Sequence, residues 1–232
     1  RFKWSRVITI SAIGLLLWAT AMGILYKLYG WEGVLTQMGW FFTKAALLTI
    51  GGAYAVLPYV YQGGVDTYHW LSATQMIDGL ALGETTPGPL IMVVAFVGFV
   101  GGWTKEIYGS GMLPLAGIVA ASVVTFFTFL PSFLFILVGG PAVEATRHDV
   151  KFTAPLTGIT AAVVGVILNL ALFFGYHVLW PKGFDGSFEW FSLIVGILAF
   201  VALIQFKLGI VTVIGGSAVL GLAYSLVMLY FT

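Results

Sequence analysis

The residues of this sequence with the most scope for chemistry surround Thr85-Thr86-Pro87-Gly88-Pro89, a run that must interrupt a helix. Either proline suits the first turn of a following helix, where its missing N–H costs nothing, and Gly88 lets a ligand approach the backbone. That helix N-terminus would carry a partial positive charge of about half a unit, so a small, multiply charged anion is a natural ligand. The two threonine hydroxyls can cap the helix or donate to the anion. The alternative is a proline kink without a ligand.

A second interruption precedes this run. Gly51-Gly52 and Pro58 break the apolar stretch 33–61, and a helix that begins near Ala53 would direct its N-terminus at the same region. The alternative role of the paired glycine is close helix packing, which is its commoner use in membranes. Two interrupted apolar segments in one membrane domain nevertheless indicate a transport site, because broken helices expose free N–H groups at mid-membrane depth.

Ionisable residues lie near both interruptions. Asp78 and Glu84 are candidate proton carriers, because charged groups inside a membrane are costly and usually functional. Gln75 and Asp78 share one face of a helix over 71–83, so a polar track is expected to lead toward the second interruption. The alternative for Glu84 is a solvated position at the membrane interface. Lys44 either neutralises the bound anion or extends its ammonium group to an interface.

The composition requires a membrane environment around these residues. Of 232 residues, 60% are hydrophobic and only 8% are charged, whereas soluble domains carry roughly a quarter of their residues as charges. Backbone groups in the roughly 30 Å hydrocarbon layer must be satisfied internally, which favours helices. The absence of cysteine excludes disulfides and thiolate chemistry, and the net charge of +1 without a basic stripe excludes nucleic acid as a partner.

No enzymatic signature accompanies this composition. The sequence has no P-loop, dinucleotide-binding or nucleophile-elbow motif, and its three histidines are too scattered for a helical metal pair. We therefore expect a membrane transporter without cofactor, metal or catalytic residues, driven by a gradient and not by ATP. An intramembrane reductase is disfavoured for the same reasons.

The apolar runs predict an all-α polytopic bundle with two broken or re-entrant helices. Arg1, Lys3 and Arg6 precede the first run, so the N-terminus is expected in the cytoplasm. Counting each interrupted segment as one crossing gives seven crossings. A re-entrant hairpin in place of either would change the parity. A spanning helix over 112–138 is expected to end at Gly139-Gly140-Pro141, and Gly98 and Gly102 form a GxxxG pair suited to close packing.

The domain organisation is predicted from the same runs. We expect a single membrane domain over residues 1–232 without a soluble part. It is divided into a first spanning helix or inter-domain connector over 1–30, a core with the broken helices over 31–140, and three further spanning helices over 141–232.

Three motifs in this order are similar to those of the chromate ion transporter (CHR) family. They are Gly51-Gly52-Ala53-Tyr54-Ala55-Val56-Leu57-Pro58, Asp78-Gly79-Leu80-Ala81-Leu82-Gly83-Glu84-Thr85-Thr86-Pro87-Gly88-Pro89, and Phe96-Val97-Gly98-Phe99. Each piece alone is weak, but their order and spacing are specific. The resemblance covers roughly residues 33–138, and the first motif resembles the second half of a two-domain member.

The resemblance implies a function. Members of the family are similar to tandem duplications of a membrane domain, or to pairs of single-domain chains, and are taken to export chromate with the proton motive force. It implies a secondary transporter for chromate in the bacterial inner membrane, partnered by lipid and by a second homologous domain or subunit, or by a second copy. Sulfate or another oxyanion is the rival substrate, and a non-transporting scaffold subunit is the rival function. The resemblance implies a place in the transport path for these residues: Gly51, Gly52, Pro58, Glu84, Thr86, Pro87, Gly88 and Pro89.

Overall fold

A computed structural model describes residues 4–49, 56–84, 89–146 and 150–231, and all regular structure within these ranges is helical. In the first half of the chain the helices are α1 (Trp4–Tyr29), α2 (Val34–Leu48), α3 (Leu57–Tyr61) with a π-helical continuation (Gln62–Thr67), α4 (Ala73–Glu84) and α5 (Pro89–Thr104). A 3₁₀ turn (Ser110–Met112) leads into α6 (Leu113–Thr146), which is followed by α7 (Val150–Leu179), α8 (Trp190–Ile204) and α9 (Ile210–Phe231).

Several of these helices suit a membrane. Within the described residues, Trp4–Tyr29, Ser110–Gly140 and Ile210–Tyr230 are long and apolar enough to cross a bilayer. Shorter apolar helices occupy Ile91–Thr104, Ile167–Leu179 and Trp190–Ile204. The prediction of an all-α, multi-pass membrane bundle is therefore confirmed.

The chain forms two compact units. The first comprises Arg1–Gly83 and Gly88–Leu170, and the second consists mainly of Ala171–Thr232. In the second unit, α8 packs against α9, and the rings of Phe191 and Tyr224 are stacked with centroids 4.0 Å apart. The described arms of both interrupted segments up to Gly83, and from Pro89 onward, belong to the first unit, as do Lys44 and Asp78. The boundaries expected after residues 30 and 140 stay a prediction.

The first unit is built around α6, which packs against α1, α2 and α5. The α5–α6 contact uses the predicted GxxxG pair. A Cβ added to Gly98 would lie 3.0 Å from the Ala120 carbonyl oxygen, and one added to Gly102 would clash with the carbonyl of Ala116. Small residues on both helices thus allow the two backbones to touch, which is how membrane helices gain packing energy without a hydrophobic driving force between them.

Helix α6 extends further than the sequence suggested. We expected it to end at Gly139-Gly140-Pro141, but it continues to Thr146. The expectation gave too much weight to glycine and proline as helix breakers. In a bilayer no water competes for the backbone hydrogen bonds, so neither residue type needs to end a helix there.

The first interrupted segment folds back on itself. Helix α2 ends at Leu48, and α3 starts at Leu57. The Phe41 ring on α2 stacks on Tyr59 with centroids 4.8 Å apart, and it also fills the space where a side chain on Gly63 would be. In one continuous helix, residues 41 and 63 would be separated by about 33 Å. The two arms of this segment are therefore antiparallel.

The second interrupted segment also folds back on itself. Ser72 and Gln75 form a capping box at the start of α4, with the Ser72 N–H donating to Gln75 Oε1 at 2.9 Å and the Gln75 N–H donating to Ser72 Oγ at 3.2 Å. Trp70, just before this cap, contacts Gly101 near the end of α5, and Gly79 on α4 contacts the Phe96 ring on α5. One continuous helix would separate residues 70 and 101 by about 46 Å. Helices α4 and α5 are therefore also antiparallel.

The first interruption is confirmed, because Thr49 after α2 is not helical. At the second, residues 85–88 lie outside the described residues, but the contacts of Gly79 with Phe96 and of Trp70 with Gly101 exclude one continuous helix. Of the two arrangements that the sequence left open, these contacts favour a hairpin at each interruption. We call them hairpin 1 (residues 34–67) and hairpin 2 (residues 73–104).

Candidate functional site

Most of the predicted anion-binding residues, namely Gly51, Gly52, Thr85, Thr86, Pro87 and Gly88, lie outside the described residues. The described flanks nevertheless define which elements they connect. One stretch joins Thr49 at the end of α2 to Val56 before α3, and the other joins Glu84 to Pro89. Each stretch therefore connects the two antiparallel arms of a hairpin, and not two halves of one straight helix.

The second arm of each hairpin begins with a proline in its first turn. Pro89 opens α5, and Pro58 follows Leu57 at the start of α3. Proline suits this position because its ring presets φ and the first-turn N–H groups have no partner within the helix. The described part of α5 begins at Pro89, and Pro87 lies outside the described residues, so the expectation that one of them lies in the first turn of a half-helix stays a prediction. Helix α3 begins at Leu57, and Ala53, where the sequence suggested a helix start, lies outside the described residues.

The two hairpins pack side by side. A Cβ on Gly64 in hairpin 1 would lie 3.5 Å from Val97 Cγ1 in hairpin 2. Gly101 in hairpin 2 fits between Met38 and Trp70, and Trp70 is only 1% exposed. Trp70 also stacks on Tyr68, with centroids 4.6 Å apart. Trp70, stacked on Tyr68, therefore joins the two hairpins at a distance from their interruptions.

Lys44 lies one turn before the end of α2 and is partly exposed. Its Nζ lies 5.8 Å from the centroid of the Trp40 ring, one turn nearer the start of the helix. This is the geometry of a cation–π contact, which contributes about 0.5–2 kcal/mol depending on desolvation. The residue before Lys44, Thr43, accepts a hydrogen bond of 2.9 Å at its Oγ1 from the Trp18 Nε1–H, which joins α1 to α2. A role for Lys44 in anion binding stays a prediction.

The acidic candidates occupy different positions on α4. Asp78 is exposed, while its neighbour Gly79 is buried against Phe96 on α5. Glu84 is the last residue of α4, and its side chain lies outside what the structure describes. Gln75 belongs to the capping box, so its part in the expected polar track is explained by helix capping. A role for Asp78 or Glu84 in proton transfer stays a prediction.

Two features of this region were not predicted. The segment Gln62–Thr67 is π-helical, a form that is rare and often occurs at functional sites. Tyr29 at the end of α1 and Tyr108 between α5 and α6 share a hydrogen bond of 2.9 Å between their hydroxyl oxygens. Burial and this hydrogen bond raise the pKa of Tyr108 to about 12. Tyrosine is enriched at membrane interfaces, but its pairing across 79 residues has no local sequence signal.

Comparison with known proteins assigns the family. A family described as "Chromate transporter" matches residues 36–222. The chain is 31% identical to the chromate transport protein of Cupriavidus metallidurans, over 73% of this chain and 38% of that protein. It is 38% identical to the chromate transport protein of Pseudomonas aeruginosa, over 53% of this chain and 26% of that protein.

Shorter relatives also exist. An uncharacterized transporter of Bacillus subtilis is 28% identical over 72% of this chain and 84% of its own length. The chain therefore spans well under half of the two chromate transport proteins but most of this shorter relative. No solved structure matches the chain. The family match extends over most of the sequence and includes nearly all of hairpin 1, all of hairpin 2 and Pro89 of α5, so the protein is a member of the chromate transporter family.

Proposed function

We propose that the chain is a transport domain that carries chromate, or a similar tetrahedral oxyanion, through the cell membrane. The proposal rests on the start of α5 at Pro89, which directly follows Thr85-Thr86-Pro87-Gly88 in the sequence. Helix α5 also packs against the other interrupted segment, hairpin 1. A helix N-terminus offers unpaired N–H groups and favourable dipole potential to an anion. The names of the relatives from Cupriavidus and Pseudomonas support chromate as the anion.

The anion would be held chiefly by backbone N–H groups and the hydroxyls of Thr85 and Thr86. One helix N-terminus stabilises a charge by about 0.3–2 kcal/mol, much less than it costs to remove a dianion from water. Several donors must therefore converge, and Gly51 and Gly52 in hairpin 1 are the candidates for the remainder. Lys44 would contribute if its ammonium group left the Trp40 ring and bound the anion.

The driving force in this proposal is the proton gradient across a bacterial inner membrane, with export as the direction. Asp78 or Glu84 would carry the proton, because a carboxyl group on a membrane hairpin can alternate between a charged and a neutral form. The long relatives have room for a second domain of this size, whereas the Bacillus relative does not. A second homologous domain, a separate subunit or a second copy would complete the path.

Transport by purified protein in liposomes tests the proposal. With an inward or outward pH gradient, radiolabelled chromate should move across the membrane, and sulfate should compete if the site recognises only shape and charge. Preference for sulfate over chromate would make sulfate the proposed substrate. Absence of proton-coupled movement of either anion, in a folded preparation that includes the completing domain, subunit or second copy, would contradict it.

A non-transporting scaffold is the rival, and one pair of substitutions separates the two. If Pro87 and Gly88 served only packing, the variants Pro87→Ala and Gly88→Ala would leave chromate resistance of cells intact. Transport through the interrupted helix requires these variants to lose resistance while the protein remains in the membrane at the normal level.

A further inference from the structure

We propose that both hairpins are re-entrant and enter the membrane from one and the same face, the face at which α1 ends. Each hairpin then replaces one of the crossings expected from the sequence. The inference concerns the path of the chain and does not depend on which solute is transported.

The hydrogen bond between Tyr29 and Tyr108 defines the reference face. Tyr29 is the last residue of α1, and Tyr108 lies in the turn between the end of α5 at Thr104 and the start of α6 at Leu113. Helix α2 begins only five residues after Tyr29, at Val34. The ends of α1 and α5 and the starts of α2 and α6 therefore lie on the same side, which we call the Tyr29 face.

The polar loop 62–72, which begins in the last part of hairpin 1 and leads to α4, also lies at the Tyr29 face. Trp70, in this loop, touches Gly101, which is within one turn of the end of α5. Gly101 touches Met38 as well, and Met38 is close to the start of α2. If each interrupted segment crossed the membrane once, Trp70 would be on the opposite side, about 30 Å from both residues.

The lengths of the arms agree with this path. Helix α2 has 15 residues and α4 has 12, which correspond to about 22 Å and 18 Å. Both are shorter than the hydrocarbon layer of about 30 Å. Starting from the Tyr29 face, each arm therefore turns back before it reaches the other face.

The surface of the loop is suited to water at that face. Its exposed residues are polar or charged: Gln62, Asp66, Thr67, His69 and Ser72. Their neighbours across the same face include the exposed charged residues Lys27, Glu32, Lys105 and Glu106. Arg6 and the other basic residues at the start of α1 place the opposite face in the cytoplasm by the positive-inside rule. The Tyr29 face is then the outer face, and both hairpins open toward it.

Single cysteines test this path directly, because the natural sequence contains no cysteine. Thr67→Cys and Gln62→Cys would report on the loop, Ser110→Cys on the Tyr29 face, and Ser5→Cys on the opposite face. All four positions are exposed. A membrane-impermeant maleimide is applied separately to spheroplasts and to inverted vesicles that contain the full-length variant, and labelling is compared after denaturation with a permeant reagent.

We expect Thr67→Cys and Gln62→Cys to be labelled in the same preparation as Ser110→Cys, and Ser5→Cys in the other. Labelling of the loop cysteines together with Ser5→Cys would overturn the proposal. It would also be overturned if neither loop cysteine reacted in either preparation while Ser110→Cys did. Failure of the chain to transport chromate would leave this labelling pattern unchanged, so the two proposals can fail separately.

Discussion

Gly102 on α5 faces the main-chain carbonyl of Ala116 on α6 so closely that a Cβ on Gly102 would overlap it. The nearest obstacle is backbone and not the end of a flexible side chain, so a substitution cannot be absorbed by a rotamer change. This contact fixes the distance between the second arm of hairpin 2 and the central helix of the first unit. It therefore helps to fix the position of α5 beside α6.

The first prediction concerns this contact. Gly102→Ala should destabilise the folded protein by about 1–3 kcal/mol, because it forces α5 and α6 apart. Gly23→Ala is the matched control, since nothing lies within 4 Å of a Cβ added there on α1. Thermal unfolding in detergent, followed by the fluorescence of the tryptophans, gives the comparison. Equal stability of the two variants would mean that the backbones of α5 and α6 are not in contact.

The second prediction concerns the hydroxyl groups at the proposed anion site. Thr86→Val keeps the shape of the side chain and removes its donor, so chromate transport should fall by about tenfold if one hydrogen bond to the dianion is lost. Thr128→Val is the control, because the Thr128 hydroxyl donates to the Val124 carbonyl within its own helix at 2.8 Å. Initial rates in proteoliposomes should fall for the first variant only. Normal transport by Thr86→Val would show that the Thr86 hydroxyl does not bind the anion.

The third prediction addresses proton coupling. Asp78→Asn should abolish the effect of a pH gradient on chromate transport, because the amide cannot exchange a proton. Asp66→Asn removes another exposed acid, from the polar loop, and should leave the coupling intact. Counterflow of chromate without a gradient should survive in both variants. Retention of the pH response by Asp78→Asn would assign coupling to Glu84 or to another group.

The fourth prediction follows from the tyrosine pair. The pKa of Tyr108 is raised from 10.0 to about 12, so the folded state holds this proton more tightly than the unfolded state. Between these two pH values the unfolded chain releases the proton first, and stability should therefore fall as the pH rises from about 10 toward 12. Tyr108→Phe should remove this part of the pH dependence, whereas Tyr26→Phe should not. Unfolding temperatures at pH 9 and pH 11 measure the difference.

Local sequence was sufficient for the class of the fold and the positions of most helices. Apolar runs of membrane length predicted α1 and α9, and proline and glycine predicted both interruptions, because these residues act on the backbone near their own position. The GxxxG pair was recognised for the same reason, since close packing needs the absence of a side chain at i and i+4. The motif order also led to the transporter family.

The direction of the chain after each interruption was decided only by the tertiary structure. A break in an apolar run reads the same whether the helix resumes in line or turns back, so the sequence left both arrangements open. The contacts of Trp70 with Gly101 and of Phe41 with Gly63 distinguish them, and they join residues far apart in the chain. Such contacts depend on which surfaces fit together in three dimensions. For that reason the sequence determined where the helices break, and packing decided where the chain goes next.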